Sequence, residues 1–419
     1  MQTITPVKNA DREMFMDILR GFAILGIFIA NLNFLSLYNS EKVSLGYHYA
    51  FDSQVTFLQA MFIEGKFYSI FSLLFGWGMA LQMQKVKQPE LNPTVLVKRR
   101  LWGMLLFGLL HLLLLWTGDI VAFYAMLGFV LLLFRNMPDR KLLFWGVVLI
   151  LSPILIYFLK MKFIWLNAPA GILFETGKYV NEHLNHVEAN GPGKALRNTG
   201  SWIDIWKMNI SGGFFRYAYL FFVSRISKVL GMFLIGYYVG RNGNYKKILQ
   251  NKNLLLRIAV SGFIIGLPAN YFLAHYMEHE DDYFDLKMNG FYQTVAYALG
   301  VVPLAMAYAS SMALVYRSGA GKKILRLLQP VGKMAFSNYL MHSMISILVF
   351  YGVGFGFGGQ LGPTAWTIFA LGVFCFQVFF SYAWLKVFNF GPIEWVWRSL
   401  TYRQWQPMRK QSVSQEPSA

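Results

Sequence analysis

Apolar runs of roughly the 20 residues that cross a bilayer as a helix recur along the whole chain, separated by short polar stretches. They predict ten helices, over 15–38, 55–82, 99–116, 119–134, 142–159, 214–240, 254–276, 290–316, 331–351 and 364–387. The polar stretches are of two kinds. Lys and Arg crowd 1–20, 83–100, 135–141, 241–257, 317–333 and 386–410, whereas 39–56, 116–119, 276–289 and 352–363 hold few. Alternation of this kind is the positive-inside pattern of a polytopic membrane protein. It puts the basic stretches and both termini in the cytoplasm, and makes Thr117-Gly118 a tight outer turn. The acidic segment 278–285 falls outside.

The stretch 160–213 is an exception, with mixed charge and a Gly191-Pro192-Gly193 break. Long loops escape the charge rule, so it reads as an external loop or cap. Residues 411–419 read as a disordered cytoplasmic tail. The expected fold is therefore all-α, a polytopic membrane helical bundle of about ten transmembrane helices. It forms a single transmembrane domain over 1–410, and no internal repeat is visible. The first apolar run is too long for a signal-peptide core and is expected to remain as a span.

Composition agrees with a membrane chain. Of 419 residues 56% are hydrophobic and 14% charged, where a soluble domain carries about a quarter charged. The net charge of +18 could mark a nucleic-acid binder. Most of the cations, however, lie in the six basic stretches, where anchoring to anionic lipid accounts for them. Membrane lipids are thus the expected partners and nucleic acid is not. Cys375 is the single cysteine, which rules out an intrachain disulfide and a Cys-based metal site. His183, His186, His275 and His279 with Glu278 and Glu280 show no HExxH-type spacing, so no metal is expected.

Ionisable groups inside spans are costly and face the bundle interior or a water-filled cavity, so they carry the functional signal. Asp17, Arg20 and Asn31 share one face of the first helix; Asp17 and Arg20 also read as a local i,i+3 pair. The second helix carries Glu64-Gly65-Lys66. Residues two apart point to different faces, so each is expected to find a partner on another helix. His111 and Asp119 meet across the tight outer turn, where a carboxylate that orients an imidazole makes a base or nucleophile; a packed His beside a capping Asp is the plainer alternative. Arg216, Arg225 and Lys228 lie in the sixth helix, Arg225 near mid-membrane. Cations at that depth need an anion, and Glu64 or an anionic ligand such as a phosphate could supply it. His48, in the first outer loop, and His342, near mid-span and sharing a face with Asn338, are secondary candidates.

These residues also carry a family resemblance. Asp17-Ile-Leu-Arg-Gly-Phe-Ala-Ile-Leu-Gly-Ile followed by Asn31 resembles the opening signature of the YeiB-like family of bacterial membrane proteins. So do Gly65-Lys66-Phe67 with Leu74-Phe75-Gly76, Gly108-Leu-Leu-His111 with Trp116-Thr-Gly-Asp119-Ile, and Tyr124-Ala125. Gly332-Lys-Met-Ala-Phe-Ser-Asn338-Tyr339 and Gly391-Pro392-Ile-Glu394-Trp-Val-Trp397-Arg398 continue it to the C-terminal end. That family usually has Gln where this chain has His342, which takes His342 out of the family's catalytic residues. The Arg-Gly and Asn31 pattern of the first helix is in turn similar to that of membrane acyltransferases of the heparan glucosaminide acetyltransferase type.

The more distant resemblance implies transfer of an acyl group from cytosolic acyl-CoA to an acceptor on the other face, with a far-side histidine taking part. His48 matches that histidine by chain position, and His111 by the YeiB-like motif. In this reading Arg20, Lys98, Arg99 and Arg100 ring the cytoplasmic mouth and bind acyl-CoA phosphates, with Arg225 and Lys228 deeper in. His111, oriented by Asp119, is base or acyl carrier, and Asn31 donates to the oxyanion. Glu64 and Lys66 complete an outer cavity. The acceptor is a small molecule, a glycan, a lipid or a cell-wall component; the location is the bacterial inner membrane, and a homodimer is compatible with it. The rival is an exporter of an anionic solute with His111 and Asp119 as proton relay. The topology makes a direct prediction: in a Cys375→Ala background, a cysteine at position 185 should react with impermeant thiol reagents from outside the cell. Labelling from the cytoplasm alone would overturn the arrangement.

Overall fold

The computed structural model describes residues 14–38, 49–85, 92–186, 192–276 and 284–410. His48, most of the acidic segment (278–283) and the tail 411–419 lie outside these residues. The described chain is helical throughout, and its β content is one isolated bridge between Phe388 and Arg409. In order, α1 (Met14–Leu35), α2 (Asp52–Phe62), α3 (Lys66–Lys85), α4 (Pro93–Leu114) and α5 (Val121–Leu131) are followed by α6 (Asp139–Lys162). Next come α7 (Ala168–Tyr179), α8 (Pro192–Asn198), α9 (Trp202–Phe222), α10 (Arg225–Gly240), α11 (Asn244–Gln250) and α12 (Lys252–Tyr276). The last are α13 (Met288–Arg317), α14 (Gly319–Leu325), α15 (Gln329–Lys333), α16 (Ala335–Phe350), α17 (Pro363–Val387) and α18 (Pro392–Tyr402).

Each predicted apolar run is helical. Among the described residues five helices, α1, α6, α12, α13 and α17, are long and apolar enough to cross a membrane by themselves. Their outward faces stay apolar: Leu155 is 61% exposed, Ile264 67%, Ile368 65% and Phe379 73%. A water-soluble surface would not carry such a belt, and lipid accounts for it, so the chain is a multi-pass membrane protein.

Besides a one-residue interruption at Met334 in the run 331–351, two predicted helices are not continuous. The run 55–82 breaks at Ile63-Glu64-Gly65, where Gly65 takes φ +83°, a value a Cβ disfavours. The run 214–240 breaks at Val223-Ser224, where Ser224 is left-handed (φ 53°) and the axis turns by 71°. The segment 160–213, expected as an external loop or cap, holds α7, α8 and the first half of α9.

The halves α3 and α10 that follow the breaks pack side by side. A Cβ on Gly76 would collide with the Phe233 carbonyl, and one on Gly236 with that of Leu73. Small residues at such contacts let membrane helices approach closely. Gly240 meets Trp77 and Ala80, and Arg225 lies over Tyr68, so the two helices run parallel and start at the same end of the bundle.

The C-terminal motif closes the other end. Glu394 of α18 accepts from the Phe336 amide (2.8 Å), the Ser337 amide (3.1 Å) and the Ser337 hydroxyl. It thereby caps the start of α16 from a separate helix and sits at the positive end of the helix dipole. Trp397 ties α18 to α4, donating to the Arg100 carbonyl at 3.0 Å while the Arg100 guanidinium stacks on its ring at 4.5 Å. Charge-assisted hydrogen bonds of this kind contribute about 2 kcal/mol. Glu394→Ala should therefore lower the thermal midpoint of the purified protein in detergent; an unchanged midpoint would remove the capping role.

Candidate functional site

His111 is placed by the end of α4. The amides of Leu115 and Trp116 both bond to its carbonyl at 2.9 Å, which stops the helix one turn later. The chain reverses, and Asp119 opens α5 by accepting from the Ala122 amide at 2.6 Å. Its other carboxylate oxygen lies 2.8 Å from Nδ1 of His111. The expected contact across the turn is thus present, and Asp119 is at once cap and partner.

Nε2 of the same imidazole lies 2.8 Å from Oγ of Ser343 on α16. An ionised carboxylate only accepts, so Nδ1 carries the proton and Nε2 is left to accept from the Ser343 hydroxyl. His111 and Asp119 are each 2% exposed and Ser343 1%. Tyr339, one turn before Ser343, brings its ring to 5.0 Å from that of His111. The arrangement can hold one tautomer and polarise a hydroxyl, as a general base requires. Sequence reasoning missed Ser343, which lies 232 residues from His111. The available signal was its place four residues after Tyr339, on an apolar helix that also carries Ser337 and Ser346.

A second polar group surrounds the two helix breaks. Glu64 lies within electrostatic reach of Lys66, Arg225 and Lys228, yet forms no direct ion pair among the described residues. Aromatic rings take up the cations instead. The Arg225 guanidinium stands 4.6 Å from the Tyr68 ring and 5.5 Å from that of Tyr219. The Lys228 ammonium stands 4.0 Å from the Tyr297 ring, and the Tyr68 and Tyr297 hydroxyls meet at 2.8 Å.

Lys66 does not find a partner on another span. It turns back along its own interrupted helix and donates to the Ala60 carbonyl of α2 at 2.6 Å. Lys160 of α6 does the same for the other break, reaching the Phe221 and Phe222 carbonyls of α9 at 3.2 and 2.9 Å. Arg216 of α9 is half-buried, within electrostatic reach of Asp119, Tyr339 and Arg225.

The remaining predicted residues lie apart. Asn31 is half-buried on α1 and hydrogen-bonds to neither group. Arg20 pairs with Asp17 at 2.6 Å, the local i,i+3 contact. Arg99 is half-buried near the start of α4. His342 is a packed histidine, held by Gln377 at 2.8 Å and stacked on Phe28 at 3.9 Å. Among the described residues no cluster of His, Cys, Asp and Glu could hold a metal ion.

Residues 239–404 match the family model described as "Protein of unknown function (DUF418)". The chain is similar to "Uncharacterized protein YxaH" of Bacillus subtilis, 30% identical over 419 residues, which covers 98% of this chain and 100% of that protein. It is also similar to "Uncharacterized protein YeiB" of Escherichia coli, 27% identical over 416 residues, with 94% and 97% covered. No solved structure matches.

Proposed function

We propose that this chain, which belongs to the YeiB-like DUF418 family, is a bacterial inner-membrane acyltransferase. It takes the acyl group of a cytoplasmic acyl-CoA and passes it to a hydroxyl or amine of an acceptor on the outer side. One observation carries the reading: a buried imidazole fixed between a carboxylate and a hydroxyl, each at 2.8 Å. Nε2 takes the proton from the attacking hydroxyl as its oxygen bonds to the thioester carbonyl, and the thiol leaves with a proton. Ser343 marks where such a hydroxyl stands. Asp119 keeps the ring in the required tautomer and stabilises the imidazolium that forms.

The donor's phosphates fit the cytoplasmic end. Arg20 and Arg100 are engaged with Asp17 and Trp397, which leaves Arg99 as the principal contact. A second reading, export of an anionic solute, is favoured by the two interrupted helices, since broken spans build the sites of many transporters.

The two readings part on His111→Ala. Under acyl transfer this variant should release CoA about 10²–10⁴-fold more slowly while still binding acyl-CoA. Arg99→Ala should keep the single-turnover rate and bind acyl-CoA about tenfold more weakly. Undiminished CoA release by His111→Ala would remove acyl transfer from this site. Anion counterflow in proteoliposomes without CoA release would establish the transporter.

A further inference from the structure

Two membrane helices of this bundle start in its interior, and both start with cations. Lys66 is the first residue of α3, Arg225 the first of α10, and Lys228 follows one turn later. A helix start carries unbonded amides and a partial positive charge. It favours acids and disfavours a cation placed there. The parallel packing of α3 and α10 sets both positive ends beside each other.

The two starts differ in what is already satisfied. Lys66 is committed to the Ala60 carbonyl. At α10, Ser224 provides no side-chain cap. Nε of Arg225 is buried without a hydrogen-bond partner. Lys228 is 7% exposed, and its ammonium has the Tyr297 ring for a neighbour but no hydrogen-bond acceptor among the described residues. Glu64 faces these cations without pairing with any. Buried charge of one sign, aimed at helix ends of the same sign, is balanced only when an anion completes it.

We propose that the paired starts of α3 and α10 bind a phosphate group, with Arg225 and Lys228 as its charged contacts and the hydroxyls of Tyr68 and Tyr297 as neutral ones. Of the cations at the two starts, Arg225 and Lys228 are the ones left without a carbonyl or carboxylate partner among the described residues, which suits an anionic group. The guanidinium fork and the ammonium both match phosphate oxygens.

Height separates this site from the cytoplasmic mouth. At 1.5 Å per residue Lys66 lies about 29 Å from the far end of α3, and Arg225 about 23 Å from that of α10. His111 lies about 27 Å from the start of α4. The phosphate is therefore level with His111 rather than with Arg99, and belongs to the acceptor, or to the cargo of a transporter, rather than to a donor whose phosphates sit at Arg99. It is either a phospholipid headgroup or a soluble phosphate ester. The inference holds equally for an enzyme and for a transporter, since binding is read without turnover.

The test is thermal unfolding of the full chain in neutral maltoside micelles. Glycerol 3-phosphate and dioleoyl phosphatidic acid are the two probes, with sodium chloride at matched ionic strength as reference. The expected result is a saturable rise in midpoint with at least one probe. Its apparent affinity should fall about tenfold or more in Lys228→Met and in Arg225→Gln; should one variant not fold, the other decides. Lys160→Met, which removes a buried cation with carbonyl partners, should keep the response. Response to glycerol 3-phosphate identifies a soluble ester, and response to phosphatidic acid alone a lipid headgroup. No response to either probe, or an undiminished one in the folded variants, overturns the site. A phosphate response without acyl transfer leaves the site standing and removes the enzymatic reading.

Discussion

A backbone carbonyl or amide in hydrocarbon has no water to turn to, so every helix end inside a membrane must be satisfied by protein. This constraint explains most of the polar chemistry in the bundle. Lys66 closes the end of α2 and Lys160 the end of α9. Asn209 donates to the Leu113 and Leu115 carbonyls, at 3.2 and 3.1 Å, and Trp206 to that of Leu114, together closing α4. Asp119 opens α5 and Glu394 opens α16. These residues look like an array of intramembrane functional groups, and several of them are structural repairs. Two groups do no such capping: the His111 imidazole with Ser343, and the cations at the start of α10.

The same constraint decides how much the sequence reveals. Apolar runs and the alternation of Lys and Arg are visible because lipid imposes them on every span. A break inside a span is hidden, because hydrophobicity continues through it. Gly65 hinted at the first break, while Ser224 is an ordinary residue in an unusual backbone conformation, and composition says nothing of that. The helices of 160–213 were hidden for the opposite reason: they are mixed in charge and read as a loop or cap. His111 and Asp119 could be paired from sequence because eight residues and a tight turn separate them. Ser343 could not, since only the tertiary fold brings α16 against α4. Arg225 and Lys228 were recognisable as deep cations, but the tyrosines that cradle them come from α3, α9 and α13, and no spacing rule links those helices.

Burial of the imidazole site also bears on which reaction such a site can serve. His111, Asp119 and Ser343 are nearly sealed from solvent. An activated hydroxyl in a dry interior favours transfer to a bound acceptor over loss of the acyl group to water, because exclusion of water suppresses hydrolysis. The cationic site differs, since Glu64, Tyr68, Arg216, Arg225 and Tyr297 keep part of their surface open. A nearly closed centre of histidine, aspartate and serine thus lies near a partly open cationic one, whose Lys66 and Lys228 are themselves buried. Arg216 lies at the join, within the field of both. An anion bound at Arg225 would relieve the repulsion between the two guanidinium groups and leave Arg216 free to face Asp119.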